Sequence, residues 1–459
     1  MNVIESKGHW RVGVARRKIT PSSHVDLAGL GYYLNRTGQR VRDDLTVTGL
    51  VLESPVAGNA AFATLDIMYA SQAFARAIRS QVATRTKLAP GAICVNCSHS
   101  HNAPTAAEGR GLGELNHAYI DWVVSQTVEA LVEAWRLRTP ATLHVGAAEV
   151  TGLSFNRTRE NGPFDSRLSV LRADTDMGRP LAVMFNFHAH LTAHLEMDLR
   201  AISRDWPGEA IDQIEAALPG VTAMYLQGTC GDIVLDAKFN ATERRFEPAR
   251  VISAATLTAL AQARPVWPAA VAATAPKIRL PTRRWTRSEI AQFRDEGRYR
   301  LETGDINGWL DGIARVIVTY PDRLPGRYGG SVESAVRAVS RFAVEWADAT
   351  LQVLDSRPEY LETEVQAIRV GDVFFTANSA ELFTTLGLEI RKSSGVEDLF
   401  MASYANGNIG YLPDAFDVER KSYAAIQSPK FTGQFPFVSE SGRRLVAETL
   451  DAMRRLRVP

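Results

Sequence analysis

Histidine is the residue type whose placement in this sequence points to chemistry. Of the nine histidines, five fall in two short clusters: His99 and His101, then His188, His190 and His194. Each cluster follows an apolar, strand-like run, Gly91 to Ser98 in the first case and Leu181 to Phe187 in the second. Residues i and i+2 of a strand point to one face, so His99 with His101, and His188 with His190, can each converge on one point. Imidazole is the commonest ligand of hydrolytic zinc sites, and such sites sit where strands end in loops. Two pairs at similar strand ends therefore predict a metal centre, with a coincidence of polar strand ends as the plainer alternative.

Other constellations carry less. Cys94-Val95-Asn96-Cys97 has the spacing of half a structural zinc site, but residues i and i+3 of a strand face opposite sides. Cys230 is the one cysteine left, so no second pair completes a closed site. Buried apolar thiols are the expectation. Gly109-Arg110-Gly111-Leu112-Gly113 lacks the glycine spacing of a dinucleotide loop, and no Gly-x-Ser-x-Gly elbow is present. Lys and Arg number 52 against 51 for Asp and Glu, which argues against a nucleic-acid footprint. The basic run Arg283–Arg287 reads as a solvated helix start. The N-terminus has no apolar signal region, and no stretch approaches eighteen uninterrupted apolar residues. A cytoplasmic protein without integral membrane association is expected, with its oligomeric state, homo-oligomer included, left open.

The elements that must position the histidines alternate between strand and helix. Strands are expected at Leu45–Glu53, Ala60–Asp66, Gly91–Ser98, Ala141–Val150, Leu168–Ala173, Leu181–Phe187, Thr222–Leu226, Leu361–Val370 and Val373–Thr376. Helices are expected at Gln72–Lys87, Ser379–Lys392, Glu440–Arg455 and Asn116–Arg138, the last with Ile120, Val123, Val124, Val128, Leu131, Val132 and Trp135 facing the core. From about 283 to 354 the pattern turns mainly helical, and no Pro/Gly/Ser linker sets it apart. This predicts a mixed α/β fold of sheets covered by helices, one domain over 1–459 with a helical insertion at 283–354.

Several segments then fall into a familiar order. They are Gly13 to Ile19-Thr20-Pro21, Gly31-Tyr32, Asp66, Cys97-Ser98-His99-Ser100-His101-Asn102-Ala103-Pro104, Asn156-Arg157-Thr158, Asn186-Phe187-His188-Ala189-His190-Leu191-Thr192, Ile202-Ser203-Arg204-Asp205-Trp206-Pro207-Gly208, Ser379-Ala380-Glu381 to Thr385, Gly410-Tyr411, and Tyr423. This series, spanning residues 12 to 425, resembles the neutral/alkaline ceramidase family, zinc-dependent amidases that cleave the N-acyl bond of ceramide. The resemblance implies a catalytic domain of that fold holding one Zn²⁺ per chain. It implies His99, His190 (rather than His188), Glu381 and Tyr411 as metal ligands, His101 as acid/base, Arg157 bordering the site and Tyr423 pointing into it.

Two departures bear on substrate. Gly231-Asp232-Ile233-Val234-Leu235-Asp236 stands where the family carries Gly-Asp-Val-Ser-Pro-Asn, so Val234 replaces a serine. The protein is also expected to do without the C-terminal β-sandwich domain and the secretory signal of full-length ceramidases. The expected activity is zinc-dependent hydrolysis of an amide bond in a small, soluble acyl substrate rather than in long-chain ceramide. Arg- and Trp-rich residues from Arg283 to Arg327 are expected at an entrance suited to an acidic or aromatic ligand. The alternatives are an ester or lactone hydrolase on the same zinc, a catalytically inactive ligand-binding relative, and a binuclear site using both histidine pairs with Asp66, Glu196 or Asp198 as bridge.

Overall fold

The computed structural model describes residues 10–30, 35–194, 198–240, 243–267, 270–314 and 323–457. Gly31, Tyr32 and Glu196, named above, lie outside the described residues, as does part of the 283–354 segment.

The apolar runs pair into one large mixed sheet. Its strands are β1 (Trp10–Lys18), β2 (Thr46–Glu53), β3 (Asn59–Leu65), β4 (Ile93–Cys97), β5 (Thr139–Glu149), β6 (Arg167–Thr175), β7 (Pro180–Phe187) and β8 (Thr222–Gln227). Their order is β8-β7-β6-β5-β1-β2-β3-β4. The middle is antiparallel, while β7–β8 and β3–β4 at the two ends are parallel. The two histidine segments follow β4 and β7, one in each parallel end pair. A second sheet centres on β9 (Tyr360–Val370), β10 (Val373–Asn378) and β11 (Leu399–Ala402).

Period-two alternation makes each main strand feed two cores. Val47 and Val51 of β2 face the helices, whereas Leu50 and Leu52 face the second sheet and meet Ile368, Phe375 and Phe400. On the helix side lie α1 (Gln72–Arg85), α2 (His117–Arg136), α3 (Asp205–Ala217) and α4 (Glu247–Ala261). Helix α2 buries Val123, Val128, Leu131 and Val132, with Ile120, Val124 and Trp135 half-buried beside them. It lies so close to β1 that a Cβ on Gly13 would come within 1.9 Å of the Ala134 carbonyl oxygen, which explains that glycine. The outer face of the second sheet is covered by α7 (Thr384–Ser394) and α8 (Ser439–Arg455). Between α4 and α7 in sequence, α5 (Arg287–Thr303) and α6 (Val332–Val353) pack through Trp285, Phe293 and Trp346, whose rings meet edge to face, and join the helix-side core. Among the described residues, no helix is long and apolar enough to cross a membrane.

The sheet's two edges are tied to each other. Asn96 of β4 accepts from the backbone N–H of Gln227 on β8 (2.9 Å) and donates to the Ser403 carbonyl (2.6 Å). Asn186 of β7 exchanges two hydrogen bonds with Met401, and the backbone of 403–406 bonds to Gln227, Cys97 and Val95. The end of β11 thus seals the gap between strands that are far apart in the sheet order. That closure brings the two histidine segments together.

Candidate metal centre

His99 stands two residues past β4 and takes a left-handed backbone, φ +66°. Tyr404, also left-handed at φ +54°, stacks on its ring with centroids 4.0 Å apart. Such backbone costs of order 1–3 kcal/mol for a non-glycine residue and persists where surrounding structure fixes it. His99 Nδ1 lies 3.4 Å from the Met68 carbonyl, and His190 Nδ1 lies 2.8 Å from the Ile233 carbonyl. A carbonyl only accepts, so each Nδ1 carries the proton and each Nε2 presents a lone pair. Glu381 comes from a two-residue strand, Glu381–Leu382, in parallel register with Tyr411–Leu412.

These groups converge in the interior. His99 Nε2 is 3.3 Å from His101 Nε2 and 3.4 Å from Glu381 Oε2, which lies 3.8 Å from His190 Nε2. The three imidazoles place one ring nitrogen each within 4.8 Å of one another, and all three residues are buried. His190 Nε2 and Glu381 Oε2 are buried with no hydrogen-bond partner among the described residues. Burial pushes the Glu381 carboxyl up to about 7, opposed by the hydrogen bond from Tyr69 and by the charge of Arg157. Burial likewise drives His101 down to about 3, and His99 and His190 well below the usual imidazole value. Neutral imidazoles facing one unsatisfied carboxylate oxygen are the donor set of a transition-metal ion, so the residues fit such an ion.

A ring of supporting contacts fixes them. The Tyr69 O–H donates to Glu381 Oε1 at 2.5 Å. Arg36, fully buried, donates to the His101 carbonyl. Arg157 Nη2 donates to Tyr411 Oη (2.8 Å) and to the Gly231 carbonyl (2.9 Å). Buried Asp232 accepts from Asn156 Nδ2 through one oxygen and from the Thr384 N–H through the other, clamping the Arg157 and Glu381 segments together. The Tyr411 and Tyr423 rings lie 5.9 Å apart. A cavity of about 30 Å³, lined by His101, Tyr69, Glu381, Tyr411 and Tyr423, adjoins the cluster. A wider pocket of about 290 Å³ shares Tyr411 and Tyr423 and opens past Arg157.

The architecture can be placed among known ones. The chain matches neutral ceramidase from Pseudomonas aeruginosa with a TM-score of 0.72 at 17% identity, over 99% of this chain and 76% of that one. It matches a ceramidase complexed with C2 with a TM-score of 0.69 at 16% identity, over 98% and 76% of the two chains. The fold is that of a neutral ceramidase. No protein-family model and no curated protein sequence matches the chain.

Within this ceramidase-type fold, His99, His101, His190 and Glu381 meet at one point, with Tyr411, Arg157 and Tyr423 around them. His101 approaches as closely as the expected ligands do, so its Nε2 is placed either to bind an ion or to move a proton beside it. Strand periodicity, however, does not produce the second pair. Past Phe187 the chain leaves the strand, and His188 turns away: its Nδ1 accepts from the Thr229 N–H (2.9 Å) and its Nε2 lies 3.5 Å from Asp165. The binuclear alternative therefore loses its second pair. Its bridges Asp66 and Asp198 are occupied elsewhere, Asp66 by Thr46 and Asp198 by Arg40 and the Arg200 N–H.

The helix expected from Ser379 begins at Thr384, because Glu381 is held in the short strand. Arg283, Arg284 and Arg287 are paired with Glu289, Glu359 and Asp355, whereas Arg327 of the same segment donates to the Leu30 carbonyl and its charge reaches Tyr423. The three cysteines are free and buried, with Cys94 and Cys97 in opposite cores. Tyr69, Tyr404 and Asp232 are the site residues that sequence reasoning missed. A faint signal existed for Asp232 alone, as the second residue of the Gly-Asp pair quoted with Val234.

Proposed function

We propose that this chain is a zinc-dependent hydrolase that cleaves an amide (N-acyl) bond, acting on a small soluble amide rather than on long-chain ceramide. One observation carries the proposal: a buried His/His/His/Glu cluster in which His190 Nε2 and Glu381 Oε2 have no hydrogen-bond partner among the described residues. Buried polar atoms without partners are rare, and a bound cation satisfies both. His99, His190, Glu381 and Tyr411 would hold one zinc ion. When bound, it supplies Lewis acidity toward the scissile carbonyl and toward a water.

The remaining work falls to the chain. His101, kept neutral by burial, accepts a proton from the attacking water at Nε2 and passes it to the leaving nitrogen. The Arg157 guanidinium and the Tyr423 O–H stabilise negative charge developing on the acyl oxygen. The Arg157–Tyr411 hydrogen bond holds the tyrosine against the cluster. Two features support a small substrate. Val234 offers no hydroxyl to a substrate, and a buried unpaired polar group costs about 1–3 kcal/mol. The pocket of about 290 Å³ lies at the small end of the range for ligand sites, which suits a compact substrate better than one with two long chains.

The test is a kinetic comparison, on zinc-loaded protein, of ceramide in detergent with short N-acyl amino acids, aryl amides, esters and lactones. A short amide is expected to give the highest kcat/KM. Ceramide in first place would overturn the substrate proposal, and an ester or lactone in first place the choice of bond. Stoichiometric zinc with no turnover of any compound would leave a ligand-binding protein.

A further inference from the structure

The wider pocket beside the cluster has an unusual electrostatic balance. Nine residues line it, among them Arg157, Arg420, Ser422 and Tyr423, and none of the nine is acidic. Arg420 donates through Nε and Nη2 to Asp417 (3.0 and 2.6 Å), which also receives Arg159, while Asp414 receives Arg159 from the other side. Two guanidinium groups therefore face two carboxylates and balance. Arg157 is the exception: its hydrogen bonds go to neutral acceptors, the Gly231 carbonyl and Tyr411 Oη, and it has no ion pair among the described residues. Its guanidinium lines the pocket, and the carboxylate whose charge reaches it, Glu381, belongs to the metal cluster and not to the pocket wall.

The uncharged donors are also short of acceptors. Ser422 Oγ is buried with no hydrogen-bond partner among the described residues, although the residue lines the pocket. The Tyr423 O–H is a second donor on the same wall. A cavity walled by a guanidinium and hydroxyl donors, with no acidic residue in its lining, is complementary to an anion, and guanidinium matches carboxylate in shape as well as charge. The anion's distance from the chemistry is set by one contact: Arg157 Nη2 is 2.8 Å from Tyr411 Oη, and Tyr411 is the register partner of Glu381.

We infer that this pocket receives a carboxylate carried by the substrate next to its scissile amide, so that the preferred substrates are N-acyl amino acids. The turnover part rests on the hydrolase proposal above; the binding part stands without it. Hydrolysis breaks the acyl C–N bond, with water giving its OH to the acyl carbon and a proton to the nitrogen. The products are a carboxylic acid and a free amino acid. An N-acyl amino alcohol has the same bond and length but offers a neutral CH2OH to the pocket.

The experiment compares N-hexanoylglycine, N-hexanoylethanolamine and adipic acid monoamide on the zinc-loaded full chain, by calorimetric titration and by steady-state kinetics. N-hexanoylglycine is expected to bind about tenfold or more tighter than the ethanolamine compound, an advantage that shrinks as salt is added. Arg157→Gln and Ser422→Ala should each cut the acid-to-alcohol ratio in the binding titration by about threefold or more, since each removes a donor from the pocket wall. Equal binding of acid and alcohol, or a ratio that neither variant moves, overturns the inference. Tightest binding by adipic acid monoamide overturns it too, by putting the carboxylate on the acyl half. Selective binding of the glycine compound without turnover sustains the pocket and refutes the hydrolase. Equal turnover of acid and alcohol refutes the pocket and sustains the hydrolase.

Discussion

Replacing Tyr69 with Phe removes one oxygen atom and isolates what a hydrogen bond does for the proposed metal site. Tyr69 is 8% exposed and Glu381 1%, and their O–H···O contact is 2.5 Å. A buried hydrogen bond to a charged acceptor contributes about 1.5–3 kcal/mol. Here the bond also orients the carboxylate, holding Oε1 so that Oε2 faces His99 and His190. Without it, Glu381 can rotate and Oε1 is left buried and unpaired. A loss of about 2 kcal/mol in metal binding is a factor of about 30 in the zinc dissociation constant, within the range known for groups that orient a ligand. The assay is competition with a chelator of known affinity, run on wild type, Tyr69→Phe and Glu381→Ala. Tyr69→Phe should fall between the other two and keep one zinc per chain at saturation. A dissociation constant within about twofold of wild type would refute the reasoning, since orientation of Glu381 would then owe nothing to Tyr69. A loss equal to that of Glu381→Ala would refute it in the other sense, by making Tyr69 itself a ligand.

The two neighbouring histidines should separate cleanly: His190→Ala abolishes zinc binding, whereas His188→Ala retains it, as measured by metal analysis after gel filtration. Full zinc in the His190→Ala protein would contradict the geometry. His101→Ala should keep zinc and lose turnover by about 10²–10⁴-fold if it moves the proton; metal loss matching His99→Ala would make it a third imidazole ligand. Lys430 lies under Trp285 at 4.7 Å and under Phe293 and Trp346 at 5.5 Å, and burial lowers its ammonium from 10.5 to about 7. A shift of that size means that charging it costs the folded state about 5 kcal/mol, and Lys430→Met also removes the hydrogen bond that Nζ donates to the Ile426 carbonyl, so the substitution should stabilise the protein by about 3 kcal/mol at or below pH 7. That advantage should fade between pH 7 and 10.5, where only the unfolded lysine remains protonated and the wild type recovers stability. Urea denaturation at pH 7 and pH 10 measures both, and destabilisation at pH 7 would mean the ring contacts outweigh burial.

Periodicity and residue type alone placed most of the strands and the long amphipathic helix, though not the central strand β1 or helices α3 and α4, because burial of one face imposes spacing of 2.0 or 3.6 whatever the global topology. They also marked His99 and His101, since two imidazoles at a strand end have few other uses. Motif order singled out His190, Glu381, Tyr411, Arg157 and Tyr423, and with them the ceramidase-type fold. Tertiary structure decided which of the paired histidines faces inward. His188 is turned aside by Thr229, and the room for its ring exists because position 228 is glycine: a Cβ there would come within 2.2 Å of His188 Nδ1. It also supplied Tyr69, 312 residues from the carboxylate it holds, and Tyr404, whose left-handed backbone and stacking on His99 leave no trace in spacing. The reason is physical. A local pattern reports which side of an element is buried, whereas a site assembled from β4, β7, the 381–382 strand and the 401–406 seal depends on contacts between segments whose separation in sequence carries no information about their separation in space.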